Sequence, residues 1–316
     1  MRLWPLSAGP RLALRKCVTP FTLARFVSIV VLGAALLDVQ TVRAQSASTP
    51  SLSTPSSSDP SASPAGQSAA AAADDDASLQ LAEPDYRVVT IPTTLRLPRH
   101  GSNFQLTHRF NGNLRNGDFG FQASNLFGLD QGAVVGFEYR FGIMRHVEAA
   151  VYRTAIDKTF QFYGKYDAVH QAASKPVSIS GLVSIEGQNN FQELYSPALG
   201  AVVSRTVGDW LALYTAPIWV HNTAGILDID RDTFYVGVGG RLRLRPTVYV
   251  VAETSPRVAG YNPGEPSFAF GIEKRAGGHM FQLNFGNNQG TTFGQTARGG
   301  NPHALYMGFN LARKFF

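Results

Sequence analysis

Apolar and polar residues alternate along the chain from residue 102 to the C-terminus. In Ala133–Phe141, for example, Phe137 and Tyr139 share one face, whereas Glu138 and Arg140 share the other. Strict alternation of this kind predicts a β-strand. The pattern predicts about twelve such strands, at Ser102–Phe110, Ala133–Phe141, His146–Arg153, Thr159–Ala168, Val177–Glu186, 198–205, 211–220, 234–244, 248–254, 267–274, 279–286 and 304–315.

The links between these predicted strands are alternately long and short. Residues 111–132 and 287–303 form long links, whereas 142–145 and 245–247 form short ones. Barrels of the bacterial outer membrane have tight turns at one rim and long loops at the other. A sheet in lipid must also close, because an open edge leaves backbone groups without hydrogen bonds. The sequence therefore predicts an all-β fold, a closed antiparallel up-and-down transmembrane β-barrel of about 12 strands.

The N-terminal residues 1–44 have the features of a secretory signal peptide. A basic segment precedes an apolar run at residues 26–37, and Val42-Arg43-Ala44 fits a cleavage site before Gln45. Export favours the bacterial outer membrane over a soluble lipocalin-like barrel, which would have its apolar face inside. Cys17 lies in the predicted signal peptide, so the mature chain is expected to use no disulfide, cysteine metal site or thiol nucleophile.

Two further segments precede the predicted barrel, which occupies residues 102–316. Residues 45–85 are rich in Ser, Ala and Pro, a composition that cannot bury enough apolar surface to fold and that predicts a disordered tether. Residues 86–101 are more apolar but are interrupted by Pro92 and Pro98. This segment is predicted to plug, cap or extend the barrel.

The composition agrees with strands that have one face in lipid. Only 16% of the residues are charged, against about 25% in a typical soluble domain. The net charge is +6, but the basic residues are scattered and form no nucleic-acid motif. Nucleic acid is therefore not an expected partner, and the expected surroundings are outer-membrane lipid and lipopolysaccharide.

The face opposite the apolar one carries charged residues of both signs, which are expected to face the lumen. Charges in such a place must be paired or solvated. Two interpretations remain open, a salt-bridged network that holds a narrow barrel closed and the selectivity lining of a small pore. The candidate lumen residues are Arg109, Glu138, Arg140, Glu148, Lys165, Asp167, Glu186, Arg241, Arg243, Glu253 and Glu273.

A loop and the C-terminus supply two further candidates. The block Asn125–Ala133 contains the apolar residues Leu126, Phe127 and Leu129. These residues either fold inward as a constriction or pack at the rim where a strand begins. The chain ends in a strand with alternating apolar residues and terminal aromatics, which resembles the signal recognised by the barrel-assembly machinery; its residues are Phe309, Leu311, Phe315 and Phe316.

These features favour a non-enzymatic function. The histidines have no spacing typical of a metal site, and no cofactor is predicted. We expect a small pore or transport-related channel for a small solute. Two alternatives remain, an outer-membrane enzyme such as a lipid hydrolase, and a structural or surface-binding barrel whose loops contact partners.

Several sequence blocks resemble a family of bacterial outer-membrane β-barrels whose function is unknown. The resemblance extends over about residues 100–316 and implies the barrel and its location, but no particular activity. The blocks are Thr107-His108-Arg109-Phe110, Asn125–Ala133, Arg153 with Lys158, Lys165-Tyr166 with Gln171, Pro176-Val177-Ser178, Gly237–Arg241, Gly278–Leu283 and Gly308–Arg313.

Overall fold

The computed structural model describes residues 81–224 and 231–315, all within one compact unit, Ala62–Phe316. The predicted signal peptide and most of the predicted tether lie outside these residues, as does Phe316. No helix among the described residues has the length and apolar character needed to cross a membrane.

The strands form one closed antiparallel sheet, which confirms the predicted barrel. They are β1 (Ser102–Asn113), β2 (Ala133–Met144), β3 (Val147–Thr154), β4 (Phe160–Val169), β5 (Ser178–Gly187), β6 (Glu193–Val207), β7 (Leu211–Val220), β8 (Thr233–Arg245), β9 (Val248–Ser255), β10 (Arg257–Gly260), β11 (Ser267–Ala276), β12 (His279–Gly286) and β13 (Tyr306–Phe315). The sheet closes because β1 pairs with β13 and β8 pairs with β9.

Strands β9 and β10 act as a single strand of the barrel. Both pair with β8, and only Pro256 separates them. Proline has no N–H for a β-ladder and commonly marks an interruption, although the Pro256 carbonyl still accepts a hydrogen bond from the Val236 N–H at 3.0 Å. The barrel therefore has 12 strands.

The alternation in the sequence corresponds to the two faces of the wall. On β2, Phe137 and Tyr139 are 48% and 47% exposed on the outside, while Glu138 and Arg140 are fully buried on the inside. The outer face of the other strands is likewise apolar and exposed, with Phe104, Phe162, Val183, Leu199, Trp219, Phe270 and Phe281 among its large residues. This outer band is the surface expected to meet lipid.

The two rims of the barrel differ in their links. The rim that holds the start of β1 and the end of β13 has the short turns 145–146, 208–210, 246–247 and 277–278, whereas the opposite rim has the long loops 114–132 and 287–305. The loops contain the short helices α1 (Phe119–Ser124), α2 (Gln188–Phe191) and α3 (Phe293–Ala297) and the 3-10 turns Leu126–Gln131 and Ile156–Lys158.

Two segments fill the interior of the barrel, and the first is N-terminal to β1. Residues 82–97, here called the lumenal hairpin, turn back on themselves: the Val88 N–H donates to the Ile91 carbonyl at 2.8 Å, and the Thr93 N–H donates to the Tyr86 carbonyl at 3.0 Å. Nearly all of the hairpin is buried. The buried segment thus begins within the described end of the predicted tether, ahead of residue 86.

The second segment is the loop 287–305, here called the inner loop, which enters from the opposite rim. Its helix α3 is buried along its whole length. Thr292 caps this helix, because its hydroxyl accepts a hydrogen bond from the Gln295 N–H at 3.2 Å. The core of the molecule is therefore the contact between the barrel wall, the lumenal hairpin and α3.

Candidate functional site

The structure buries most of the charged residues that the alternation assigned to the inner face. Arg243 differs, since it is half-buried beside the turn 246–247 and donates to the Pro246 carbonyl at 3.3 Å. The buried members are Arg109, Glu138, Arg140, Glu148, Lys165, Asp167, Glu186, Arg241, Glu253 and Glu273.

Five of these residues form a continuous charged network on β2, β3 and β4. Arg140 binds Glu138 and Glu148, each at 2.6 Å between guanidinium nitrogen and carboxylate oxygen. The Lys165 ammonium lies 3.4 Å from Glu148 and 3.7 Å from Asp167. Each ion therefore has a partner of opposite sign, as buried charges require. We call Glu138, Arg140, Glu148, Lys165 and Asp167 the charged network.

Arg87 of the lumenal hairpin binds to this network. Its guanidinium donates to the second Glu138 oxygen, and it lies over the rings of Tyr152 and Tyr163, 5.6 Å and 6.0 Å from their centroids. Burial disfavours the charged form of Arg87, but the neighbouring groups, above all the Glu138 carboxylate, together outweigh burial and raise the pKa of Arg87 above its ordinary value. Glu138, Tyr152 and Tyr163 thus form a guanidinium pocket.

A second ion pair lies on the strands across the barrel. Arg241 on β8 binds Glu273 on β11 through two hydrogen bonds, at 2.6 Å and 3.0 Å. The Arg241 guanidinium also donates to the carbonyl of Arg87 at 2.7 Å. This pair therefore contacts the main chain of the hairpin opposite the side that binds the Arg87 side chain.

Glu253 on β9 receives the tip of the hairpin. Its carboxylate accepts hydrogen bonds from the consecutive N–H groups of Val89, Thr90 and Ile91, at 2.9, 2.8 and 3.1 Å, and from the Thr90 hydroxyl. Converging backbone N–H groups form a site for an anion. Here the anion belongs to the wall and the N–H groups belong to the inserted segment.

The wall also donates to the carbonyl groups of the hairpin. Lys165 donates to Leu95 at 2.5 Å and to Thr93 at 3.3 Å. Other such contacts are those of Gln282 to Val88 at 2.6 Å, Asn310 to Val89 at 3.2 Å and Lys314 to Pro84 at 2.5 Å. Side chains from β4, β12 and β13 therefore bind the inserted main chain.

The two arms of the hairpin are joined by one of its own residues, Glu83. The Thr94 N–H donates to the Glu83 carboxylate at 3.0 Å, which joins the two arms. Burial raises the pKa of Glu83 above its ordinary value and outweighs the opposing charges of Lys165 and Arg241. Thr94 reaches the wall as well, with its hydroxyl 2.5 Å from that of Ser204 on β6.

The side of the wall formed by β6, β7 and β8 is mostly apolar, with small residues where the hairpin packs and Arg241 as a buried charge. Ala212, Ala216 and Val202 are fully buried there and belong to one cluster with Ile91 of the hairpin. Gly237 on β8 makes room for Ile91, because a Cβ at Gly237 would lie 2.9 Å from the Ile91 Cδ1 atom. The hairpin thus places its branched side chains where the side chains of the wall are smallest.

The inner loop contacts the hairpin at Arg87. The Arg87 guanidinium donates to the Thr291 carbonyl at 3.3 Å, and the Thr291 hydroxyl lies 2.5 Å from that of Tyr152. Glu186 on β5 accepts a hydrogen bond from the Gly294 N–H of α3 at 3.1 Å. The two inserted segments therefore meet at Arg87.

The inner face of β1 has polar atoms without a protein partner. The side-chain amide of Asn103, one amide nitrogen of Gln105 and one guanidinium nitrogen of Arg109 are buried and make no hydrogen bond within the described residues. Buried polar groups are nearly always hydrogen-bonded, to protein or to ordered water. Water is therefore expected along β1, beside the hairpin.

Leu126, Phe127 and Leu129 lie at the rim rather than in the lumen. They are 56%, 44% and 43% exposed. Their segment packs on the outer side of β1, because Gly128 contacts Gly112, whose alternation places it outward with Phe110. The inward constriction is supplied instead by the inner loop, which the alternation did not single out.

Three candidate residues of the C-terminal strand lie on β13. Phe309 and Leu311 lie on β13, where the Phe309 ring stacks on His108 at 4.7 Å between centroids, and Phe315 is exposed at the end of the strand. Across residues 81–224 and 231–315, no three His, Cys, Asp or Glu side chains are grouped as a metal ion would need.

Sequence reasoning missed the partners that the hairpin supplies. Tyr86 and Arg87 lie before the apolar run Val88–Ile91, and Pro92 follows. An apolar run followed by proline indicates a buried turn. That signal marks a turn but carries no information on which wall residues the turn will meet.

Comparison with known proteins agrees with this architecture. A family described as a membrane bound beta barrel domain (DUF5777) matches residues 85–315. No curated protein matches the chain.

Solved structures of similar fold include three outer-membrane proteins. The NanC porin is 8% identical with a TM-score of 0.46, and the alignment covers 68% of this chain and 100% of that one. An outer membrane channel from Pseudomonas putida F1 is 10% identical with a TM-score of 0.44, covering 70% and 97%. The Acinetobacter baumannii protein Omp33 is 10% identical with a TM-score of 0.40, covering 70% and 100%. At these identities the likeness concerns the fold alone.

Proposed function

This chain belongs to the DUF5777 family of membrane-bound β-barrel domains, and from that premise we propose that it is an outer-membrane channel for a small hydrophilic solute. In the present conformation the lumenal hairpin closes the channel. The inward charged residues Arg109, Glu138, Arg140, Glu148, Lys165, Asp167, Glu186, Arg241, Arg243, Glu253 and Glu273 line the path when the hairpin leaves.

The observation that carries this proposal is the polar strip on β1. Asn103, Gln105 and Arg109 have buried polar atoms without protein partners, and such atoms require water. A barrel whose interior served only as a packed core would satisfy or avoid these groups. A strip of buried polar side chains without protein partners, beside a segment that is not part of the sheet, is the arrangement expected of a closed aqueous path.

The hairpin is suited to removal because it is not a strand of the sheet. Within residues 81–224 and 231–315, the backbone-to-backbone hydrogen bonds of residues 82–97 are internal to the hairpin. Its polar contacts with the wall are all made by wall side chains, and the inner loop adds the Thr291 carbonyl, which accepts from Arg87. Withdrawal of the hairpin would therefore leave every β-ladder of the wall intact.

The same premise supports an orientation in the membrane. An even number of strands places both chain ends at one rim, and in bacterial barrels that rim is periplasmic. A cleaved signal peptide ending at Ala44 would deliver the chain to the periplasm. The terminal strand, with Phe309, Leu311, Phe315 and Phe316, would then be recognised by the assembly machinery, and the outer rim would contact lipopolysaccharide.

A structural barrel is the second candidate, and the charged network favours it. Its ions are mutually paired, so they can hold the lumen closed without any solute. The two candidates differ in whether the hairpin ever leaves.

A reversible crosslink between hairpin and wall distinguishes them. The Thr94 and Ser204 hydroxyl oxygens are 2.5 Å apart, so the double variant Thr94→Cys/Ser204→Cys places two thiols in contact. We expect planar-bilayer recordings of the reduced protein to show conductance steps, and the disulfide form to show none. The matched control is Val183→Cys/Leu199→Cys, a cross-strand pair on the outer face, whose oxidation should leave conductance unchanged.

Two outcomes would count against the proposal. Absence of conductance steps in the reduced and the unsubstituted protein would reject the channel and favour the structural barrel. Equal conductance of the reduced and oxidised Thr94/Ser204 variant would keep a channel but reject the hairpin as its closing element.

A further inference from the structure

We infer that the lumen is a peptide-binding site, that the lumenal hairpin is its intramolecular occupant, and that in trans it takes a peptide that forms the same turn and carries an arginine. This inference rests on the proposed channel and names the class of solute that the channel recognises.

The wall binds the main chain of the hairpin. Lys165, Gln282, Asn310, Arg241 and Lys314 all donate to its backbone carbonyls. Contacts to carbonyl groups do not depend on the side chain of the bound residue. A site built this way accepts a peptide backbone and tolerates changes in its sequence.

The Glu253 carboxylate binds the N–H groups of the hairpin. It accepts three consecutive backbone N–H groups at 2.8–3.1 Å. Only a peptide presents consecutive N–H groups at this spacing. A sugar chain offers hydroxyls instead, and a simple cation offers no geometry that would use the arrangement.

The guanidinium pocket selects an arginine side chain. Glu138 is fully buried, and Arg140 and Arg87 bind its two different oxygens. When the hairpin leaves, Arg140 remains on one oxygen, and the other loses its partner. A buried carboxylate oxygen facing two tyrosine rings favours a planar cation that can both pair and stack, which is a guanidinium.

The apolar side of the lumen accepts one branched side chain. Ala212, Ala216 and Gly237 leave room for it, and in the present conformation Ile91 fills that room. The occupant must therefore supply an arginine, a run of backbone N–H groups and an apolar side chain within a few residues. A peptide meets all three requirements, whereas a free guanidinium compound meets only the first.

The test uses the full chain and a synthetic peptide that copies residues 84–94. The recipient is the Arg87→Ala variant, whose hairpin has lost its guanidinium and competes less well for the site. Binding of the labelled peptide is followed by fluorescence anisotropy, and its block of conductance is followed in planar bilayers. We expect saturable binding together with a block of conductance.

Control ligands separate the parts of the site. The same peptide with R87A should bind at least about tenfold more weakly, because it cannot fill the guanidinium pocket. A peptide that keeps the arginine, the isoleucine and both prolines in place and shuffles the other residues should bind within about tenfold of the original. Argininamide at equal concentration should not block.

The Thr94→Cys/Ser204→Cys protein provides a second recipient should Arg87→Ala fail to fold. Its reduced form should bind the peptide, and its disulfide form should not, because the hairpin is then held in place. Conductance without any effect of the peptide would overturn the inference and leave the channel standing. Equal binding of argininamide and peptide would overturn it too, because the site would then recognise only the cation. Absence of conductance from every form would reject the channel itself.

Discussion

The inner wall of the barrel has two sides of opposite chemistry, and the lumenal hairpin lies between them. Strands β2 to β4 present the charged network together with Tyr152 and Tyr163, all buried. Strands β6 to β8 present mostly apolar residues such as Ala212, Ala216 and Ile218, which are also buried, with Arg241 on β8 as a buried charge among them. A membrane barrel with a water-filled lumen has a polar inner face throughout, so an apolar inner side indicates that something covers it.

The two sides of the inner wall stabilise the bound hairpin in different ways. Desolvation largely offsets the attraction within a buried ion pair, so the charged side chiefly fixes where Arg87 sits. Burial of apolar surface stabilises by about 25 cal/mol per Å², so the apolar side supplies much of the net attraction. The charged side selects the register of the hairpin, and the apolar side retains it.

The largest expected effect comes from breaking the charged side at Glu138. Glu138→Gln leaves Arg87 and Arg140 buried without their shared carboxylate, and loss of one partner from a buried pair costs about 3–5 kcal/mol. We expect a lower unfolding midpoint and release of the hairpin. Release is measured as maleimide labelling of a Val89→Cys reporter, a position that is 1% exposed.

The matched control removes a carboxylate of the same type from the surface. Glu193 is exposed at the start of β6, so Glu193→Gln should alter neither the midpoint nor the labelling. Labelling as slow in Glu138→Gln as in the reporter alone would contradict the role given to the charged side.

A smaller effect is expected from filling the apolar side at Gly237. The valine of Gly237→Val would press on Ile91, whose Cδ1 atom lies 2.9 Å from the added Cβ. Overpacking of this kind costs about 1–3 kcal/mol, and we expect intermediate labelling of Val89→Cys. Gly181→Val is the control, because a Cβ at Gly181 meets nothing within 4 Å. Equal labelling of the two variants would show that the apolar side does not retain the hairpin.

The smallest effect is expected from breaking an exposed ion pair outside the lumen. Arg298 and Asp157 are 3.3 Å apart, with side chains 24% and 47% exposed. Exposed pairs contribute about 0–1 kcal/mol, so Asp157→Asn should change the unfolding midpoint and the labelling little. A loss as large as that of Glu138→Gln would mean that burial is not what distinguishes the charged network.

The sequence predicted the wall well and the contents of the lumen poorly. Alternation located the twelve barrel strands, because the two faces of each strand meet different surroundings and a period of two reflects that difference. It left out β10 (Arg257–Gly260), which continues β9 beyond Pro256. It also assigned Glu138, Arg140 and Lys165 to the inner face. It could not pair them, because Arg140 meets Glu148 only through the register of β2 against β3.

The lumenal hairpin shows why local patterns were insufficient. Arg87 and Glu138 are separated by 51 positions, and Val89 and Glu253 by 164, so no periodicity connects them. One signal was available on β7, whose run Leu211–Val220 is apolar on both faces, as strands buried on both faces are. That run indicates a covered inner wall without identifying the cover.

The sequence by itself determined that this chain makes a closed barrel with an apolar outside and a charged inside, since strand periodicity and link length are local properties. Only the tertiary structure decided that residues 82–97 occupy the lumen, that the loop 287–305 rather than Leu126, Phe127 and Leu129 narrows it, and that Arg87 completes the charged network. The physical reason is that buried ions, carbonyls and N–H groups are satisfied by whichever partner closure of the barrel brings within reach. Closure joins residues that are far apart in the sequence.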